Sequence, residues 1–334
     1  EVHVYTANHA THWGPLTFQA ARDRHRDHSG GKGSTETAAR VSALCEAVER
    51  VAAVHREGPH RVAAADQLGE GVVMPNCVQR FSPTQFGSRH VWNERHGRSF
   101  HWVPDPYCRR SPISWTRMRS LVTGSSRWVP TGLVYLGFDG PGADYCRGDS
   151  NGLAAGNCLE EAILQAFLEL VERDAVAIWW YNELSRPGVQ LVGADSWIDA
   201  VLAEHRGLGR ALWALDLTTD LGIPVYAAIS ARTSAPEEVI FGFGAHLDPR
   251  IAARRAVSEV NQMLATVLRE PEERRQQLLP DFPEVLEWWR YATRERCAYL
   301  APDPTRPSVA IKTPPQRMAP DLRDDLEFCV AVAS

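Results

Sequence analysis

Between Ser150 and Trp180 the chain passes from a Gly/Asn/Ala stretch into a long run free of proline and, after Gly156, of glycine. Ile163, Leu164, Phe167, Leu168, Leu170, Val171, Ile178 and Trp179 cover most of the circumference of a helix. A helix that is apolar on nearly all sides is expected in a core. Asn157, Glu161, Gln165, Glu169 and Glu172 interrupt it at offsets of 4, 4, 4 and 3. At 3.6 residues per turn these five fall within about 120° of arc, as one polar stripe. Ionised carboxylates in a buried helix are costly unless cations neutralise them. Hard oxygen donors in a row suit Mg2+, which is usually bound together with substrate phosphates.

The same pattern predicts two further helices. One spans 35–54, fed by a glycine turn over Ser29–Ser34, with Ser42, Glu46 and Glu49 at i, i+4 and i+7 among Val41, Ala43, Leu44 and Val48. The other spans 249–268, with Arg255, Glu259 and Gln262 on one stripe. An Arg–Glu pair at i, i+4 is ordinarily a weak surface bridge. CEAVER (45–50) and LELVER (168–173) both carry E-x-x-E-R, which suggests a matched pair of helices facing one cleft.

Elsewhere strands are expected at 1–10, 132–138, 211–217, 223–230 and 238–243, and in the closing Phe328–Ser334. The stretch 51–141 reads as irregular strands and loops, with Trp92, Trp102 and Trp115 in a core rather than on a base-stacking platform. The segment 269–277 is densely charged and solvated, and 301–320 is a Pro-rich loop.

Composition narrows the function classes. A hydrophobic content of 44% with 23% charged residues belongs to an ordinary globular chain of one large domain or two smaller ones. The formal net charge of −5 offers no electrostatic footprint for nucleic acid, and no apolar run is long enough to span a membrane. The first residue is Glu1 and no signal peptide follows, so a cytoplasmic location is expected. The seven cysteines are scattered without a C-x-x-C, which argues for buried reduced thiols rather than disulfides or a thiolate zinc site. His9, His12, His25 and His28 have an i, i+3 spacing, but no Cys accompanies them at structural-zinc spacing. The glycines around Lys32 do not have the spacing of a Walker A loop.

Taken together, GKG (31–33), SALCEAVER (42–50), SNGLAAGN (150–157), E-x-x-x-Q-x-x-x-E-x-x-E-R (161–173) and RAVSE (255–259) resemble the motifs of the YcaO-domain family, in that family's order. The resemblance implies an α/β (α+β) fold with mixed sheets and long acidic-striped helices, binding ATP and Mg2+. It places Ser42, Glu46, Glu49, Asn157, Glu161, Gln165, Glu169, Glu172, Arg173, Arg255 and Glu259 on the family's nucleotide positions, with Glu46, Glu49, Glu161, Glu169 and Glu172 on the metal. Asn157 is also the expected N-cap of the central helix, where backbone amides favour an anion.

The reaction implied is that of a peptide cyclodehydratase. A Cys, Ser or Thr side chain of a ribosomally made precursor attacks the preceding carbonyl, the oxygen is phosphorylated by ATP, and phosphate leaves to give a thiazoline or oxazoline. Thioamide or amidine formation on an amide, or a non-catalytic docking subunit, are the alternatives. The expected organisation is a single YcaO domain over 1–334. A leader-peptide-binding module upstream or in trans, a dehydrogenase and a second copy of the chain are the expected partners. Azoline-forming members commonly end in a P-x-P-x-P tail. Pro314-Pro315 is internal and does not match it, so such a tail is expected beyond Ser334.

Overall fold

The structure, a computed structural model, describes residues 2–8, 28–56, 58, 60–96, 101–269, 283–311 and 321–334. His9, His12 and His25, most of the charged stretch after Arg269, and residues 312–320 of the Pro-rich segment lie outside these. In chain order come β1 (His3–Asn8), β2 (His28–Gly33), α1 (Glu36–Ala53), β3 (His60–Ala63), α2 (Pro75–Gln79), α3 (Pro83–His96), β4 (Ile113–Arg119), β5 (Ser126–Pro130) and α4 (Thr131–Val134). Then follow α5 (Leu159–Tyr181), β6 (Val189–Gln190), α6 (Ser196–Gly207), β7 (Arg210–Asp216), β8 (Val225–Arg232), β9 (Ile240–Ala245), α7 (Pro249–Arg269), α8 (Pro283–Tyr291), β10 (Val309–Ala310) and α9 (Leu322–Val332). The chain divides into two compact units, one of residues 1–48 with 154–333 and one of 49–153, the boundary falling inside α1.

The larger unit is built on the antiparallel meander β7-β8-β9. Along β8 the side chains alternate between two cores. Val225, Ala227, Ile229 and Ala231 pack with Leu164, Leu168, Val171, Ala175 and Trp179 of α5. Tyr226 and Ala228 face Ala252, Ala253, Ala256, Val257 and Val260 of α7. A strand covered on both faces reads as a continuous apolar run, as this one does. Full burial of each large side chain contributes about 1.5–3 kcal/mol, so α5 and α7 are held on opposite faces of the sheet by many such contacts.

Two close approaches fix where the striped helices lie. A Cβ on Gly242 would stand 2.3 Å from Ala256 O and Val260 N, and one on Gly244 2.3 Å from Ala252 O, so α7 sits directly on the β9 backbone. A Cβ on Gly31 would meet Ala39 O at 2.1 Å and Ala43 N at 2.2 Å, which seats β2 against α1. The glycines expected to form a turn at 29–34 therefore form a strand, paired antiparallel with β1 from His3–Gly33 to Asn8–His28. They are needed for helix contact rather than for reversal of the chain.

The smaller unit holds the sheet β3-β4-β5 around the fully buried Trp115, whose Nε1 donates to Ala63 O at 2.9 Å. Two helices, α2 and α3, occupy part of what reads as irregular in the sequence. Trp92 is on the exposed α3, stacked on His96, and is not core. The expected strand at 132–138 is instead the short α4 and a turn. Thr131 Oγ1 lies 3.1 Å from Thr116 Oγ1, and Tyr135 N–H closes back on Thr131 O. Phe328–Ser334 is likewise not a strand: it continues α9, capped by Asp321 accepting from Arg323 N–H at 2.9 Å. All seven cysteines are free thiols, but Cys45, Cys77, Cys108 and Cys158 are exposed, not buried. Among the described residues no helix is long and apolar enough to cross a membrane.

Candidate functional site

The helix α5 is not buried all round. Leu170 is 50% and Tyr181 82% exposed, whereas the opposite side, with Leu164 and Leu168, is core. The polar stripe runs between these two sides, with Asn157 exposed, Glu161, Gln165 and Glu169 half-buried and Glu172 buried.

At its N-terminal end the cap is Cys158, not Asn157. Asn157 stands one residue earlier, and its backbone N–H and Nδ2 both donate to Glu161 Oε2, at 2.8 and 3.0 Å. One oxygen of Glu161 is thereby fixed by the residue before the helix. Among the described residues no hydrogen bond engages Oε1.

One turn on, Gln165 Oε1 accepts from Arg255 Nη2 at 2.7 Å, and Arg255 Nη1 donates to Ala245 O at 3.1 Å. The expected surface bridge from Arg255 to Glu259 is absent among the described residues. Each instead reaches across to a different element. Glu259 Oε2 accepts from Lys32 Nζ of β2. Lys32 alternates with Gly31 and Gly33, so β2 presents these two glycines to α1, and Gly30 and Lys32 to α7.

Two turns further, Arg173 lies 3.5 Å from Glu169 Oε1 and 3.7 Å from Glu172 Oε1. Glu172 is only 9% exposed. Its burial, and next the negative charge of Glu259, push its pKa up to about 7, against the pull of Arg173 and Lys32. Burial works against the Arg173 charge, but Glu172, Glu259 and Glu169 outweigh it and raise its pKa. Burial lowers the pKa of Arg255, and Glu172 opposes that.

Ser42 and Glu46 of α1 are half-buried on the face next to the buried Ala39, Ala43 and Ala47. Glu49 continues the stripe as the first residue of the smaller unit. Of the apolar residues that surround them in the sequence, Val41, Leu44 and Val48 are exposed and Ala43 is buried. The residue missing from the sequence-derived set is Lys32. Its signal was visible: it is one of two lysines among 36 basic residues, set between two glycines that α1 crowds.

The crowding of Glu172 and Glu259 gives a pH prediction. A carboxyl with a raised folded pKa keeps its proton while the unfolded one loses it. Stability then falls as pH rises from the ordinary value of 4.5 to about 7. Glu172→Gln, which imitates the protonated form, is therefore expected to gain on the wild type between pH 5 and 7. Urea unfolding of both proteins across that range checks this; parallel curves would contradict it.

The donors present suit a metal-bound polyphosphate. Arg173 Nε is buried with no hydrogen-bond partner, a donor without an acceptor at the centre of the cluster. Among the described residues no three His, Cys, Asp or Glu side chains are arranged to hold a metal by themselves. Mg2+ does not require such a cage, since it is usually held by one or two carboxylates with phosphate and water completing the shell. Cationic and carboxylate side chains stand side by side here.

Comparison with known proteins agrees with this chemistry. The family model described as YcaO cyclodehydratase, ATP- and Mg2+-binding, matches residues 30–334. A heterocyclase solved in complex with substrate and cofactor is 38% identical with a TM-score of 0.90, covering 99% of this chain and 44% of its own. The YcaO protein of Methanopyrus kandleri, solved with AMPPCP and Mg2+, is 26% identical with a TM-score of 0.62, over 91% of this chain and 70% of its own. An uncharacterised protein of Rhizobium leguminosarum bv. trifolii, from the tfuA 3' region, is 32% identical over 252 residues, 71% of this chain and 55% of its own. The chain thus spans about half the length of that heterocyclase and of that curated relative. The match over 30–334, on a fold that gathers Lys32, Glu169, Glu172, Arg173, Arg255 and Glu259, shows that the chain belongs to the YcaO cyclodehydratase family, whose cofactors are ATP and Mg2+.

Proposed function

We propose that this chain carries out ATP-dependent cyclodehydration of Cys, Ser or Thr residues in a ribosomally synthesised precursor peptide, giving thiazolines or oxazolines. The observation that carries the reading is the cluster of Glu169, Glu172 and Glu259 against Lys32 and Arg173, with a buried guanidinium N–H left without an acceptor. The similarity to a heterocyclase over 99% of the chain supports the class of reaction.

Mg–ATP, when bound, supplies the phosphoryl group that makes the amide oxygen a leaving group. The chain's own share is to place it and to neutralise its charge. Glu46, Glu49, Glu161, Glu169 and Glu172 are the proposed metal ligands. Of these, Glu161 is pre-oriented by Asn157, and Glu169 and Glu172 by Arg173. Arg173 and Arg255 would hold the phosphate oxygens, since a planar guanidinium fork matches such an anion. Gln165 and Ala245 O fix the Arg255 fork so that little is reorganised when negative charge shifts during transfer. Ser42 and Glu259 complete the nucleotide set, with Lys32 holding Glu259.

The partners proposed with this activity are the precursor peptide, a leader-peptide-binding module fused or in trans, a dehydrogenase acting on the azoline, and a second copy of the chain. Incubation with precursor, ATP and Mg2+, followed by mass spectrometry, is expected to show loss of one water for each ring. Replacement of an oxygen by a sulfur would mark thioamidation instead. An unchanged peptide with all partners present would reduce the chain to a docking subunit.

A further inference from the structure

His246 lies where β9 ends, immediately after the carbonyl that receives Arg255. Its own N–H donates to Pro224 O at 3.2 Å, and its Nδ1 accepts from Asp248 N–H at 2.9 Å. A ring nitrogen that accepts a backbone N–H carries no proton, so in the neutral imidazole the proton is on Nε2. Burial, and next the Arg255 charge, push the pKa down to about 4, which keeps the ring neutral at physiological pH. Nε2–H therefore has one possible role, that of a donor. Among the described residues it donates to nothing, yet it is not one of the buried atoms left without a partner. It is a fixed donor on a half-buried side chain that lies within the field of Arg255.

We propose that His246 is a further nucleotide-binding residue, its Nε2–H donating to a phosphate oxygen held beside Arg255. This rests on the nucleotide site proposed above. A neutral donor is the fitting complement there, because it binds an anion without adding a second cation against the guanidinium. The competing role is purely local. Asp248 caps the start of α7 by accepting from Arg250 N–H at 2.8 Å, and His246 Nδ1 holds the turn that leads to it.

The two ring nitrogens allow the roles to be separated. His246→Asn keeps an acceptor at the position of Nδ1 and removes the Nε2 donor. His246→Gln keeps an N–H at the position of Nε2. Calorimetric titration of Mg–AMPPCP into the full chain is expected to show about a tenfold weaker affinity for His246→Asn at an unchanged melting temperature, with most of the affinity kept in His246→Gln. His246→Asn binding like the wild type would overturn the proposal, including the case in which only the KM for peptide rises. So would a loss of affinity in both variants that follows a loss of stability. If His246→Asn does not fold, the wild type labelled with 15N-histidine decides. Its Nε2–H resonance is expected to shift and become protected from exchange on adding Mg–AMPPCP, and an unchanged signal would overturn the proposal. A wild type that does not bind the nucleotide at all would remove the site itself, a failure distinct from that of His246.

Discussion

Arg255→Ala is expected to lower the rate of ring formation by roughly two orders of magnitude, the loss typical when a preorganised donor to developing charge is removed. The side chain spans two anchors, Gln165 Oε1 at 2.7 Å on α5 and Ala245 O at 3.1 Å on β9, so its position is set before any ligand arrives. It also lies in the field of Glu172, the most buried carboxylate of the stripe. Truncation leaves both acceptors without their donor and one more negative charge uncompensated. Arg255→Lys keeps the charge but not the fork, and a lysine cannot satisfy both anchors and a phosphate at once. Nucleotide affinity should therefore fall in both variants, less in Lys than in Ala. Single-turnover assays and nucleotide titration check this; Lys and Ala variants equal to the wild type would show that Arg255 serves only to fasten α5 to the sheet.

The second large effect is on stability. Gly244→Ala and Gly242→Ala each put a methyl group 2.3 Å from a backbone atom of α7, closer than any real contact. Backbone cannot rotate aside as a side chain can, so the helix must lift from the sheet and drag Ala252, Ala256 and Val260 out of their packing. A cost of about 3 kcal/mol is expected for each, at the upper end for overpacked sites. Because α7 also carries Arg255 and Glu259, nucleotide affinity should fall together with stability. Gly207→Ala is the control: no atom lies within 4 Å of its Cβ, and alanine favours the helix it ends, so its melting temperature should hold or rise slightly. Thermal melts of the three variants compare these directly, and a Gly244→Ala protein as stable as the control would contradict the packing described.

The strands β7, β8 and β9 and the helices α5 and α7 were legible because each is long and strongly patterned, and each lies within a residue or two of its expected ends. The polar stripe of α5 was legible for the same reason, since polar residues recurring every three or four positions in an apolar helix, three of them carboxylates, stand out from its pattern. What misled was chemistry that depends on a distant partner. GLVYLGF (132–138) has the composition of a strand, yet its start is a helical turn closed by Tyr135 N–H on Thr131 O and tied to Thr116 by Thr131. The glycines of β2 carry the same residue symbols as a turn, and their contacts with Ala38, Ala39 and Ala43 of α1 and Gln262 of α7 explain them. The apolar residues Val41, Leu44 and Val48, and Leu170 and Tyr181, have a core's composition on an exposed face. Lys32 was passed over because its partner, Glu259, is 227 residues away along the chain.

The central claim is that Glu161, Glu169, Glu172 and their basic neighbours form a Mg–nucleotide site. The most direct measurement is calorimetric titration of AMPPCP into the wild-type chain, once with Mg2+ and once with a chelator. One saturable binding event in Mg2+ that disappears with the chelator is the predicted result. Absence of binding in Mg2+, or the same affinity with the metal removed, would contradict the claim and leave the acidic stripe as paired charges of a packed interior.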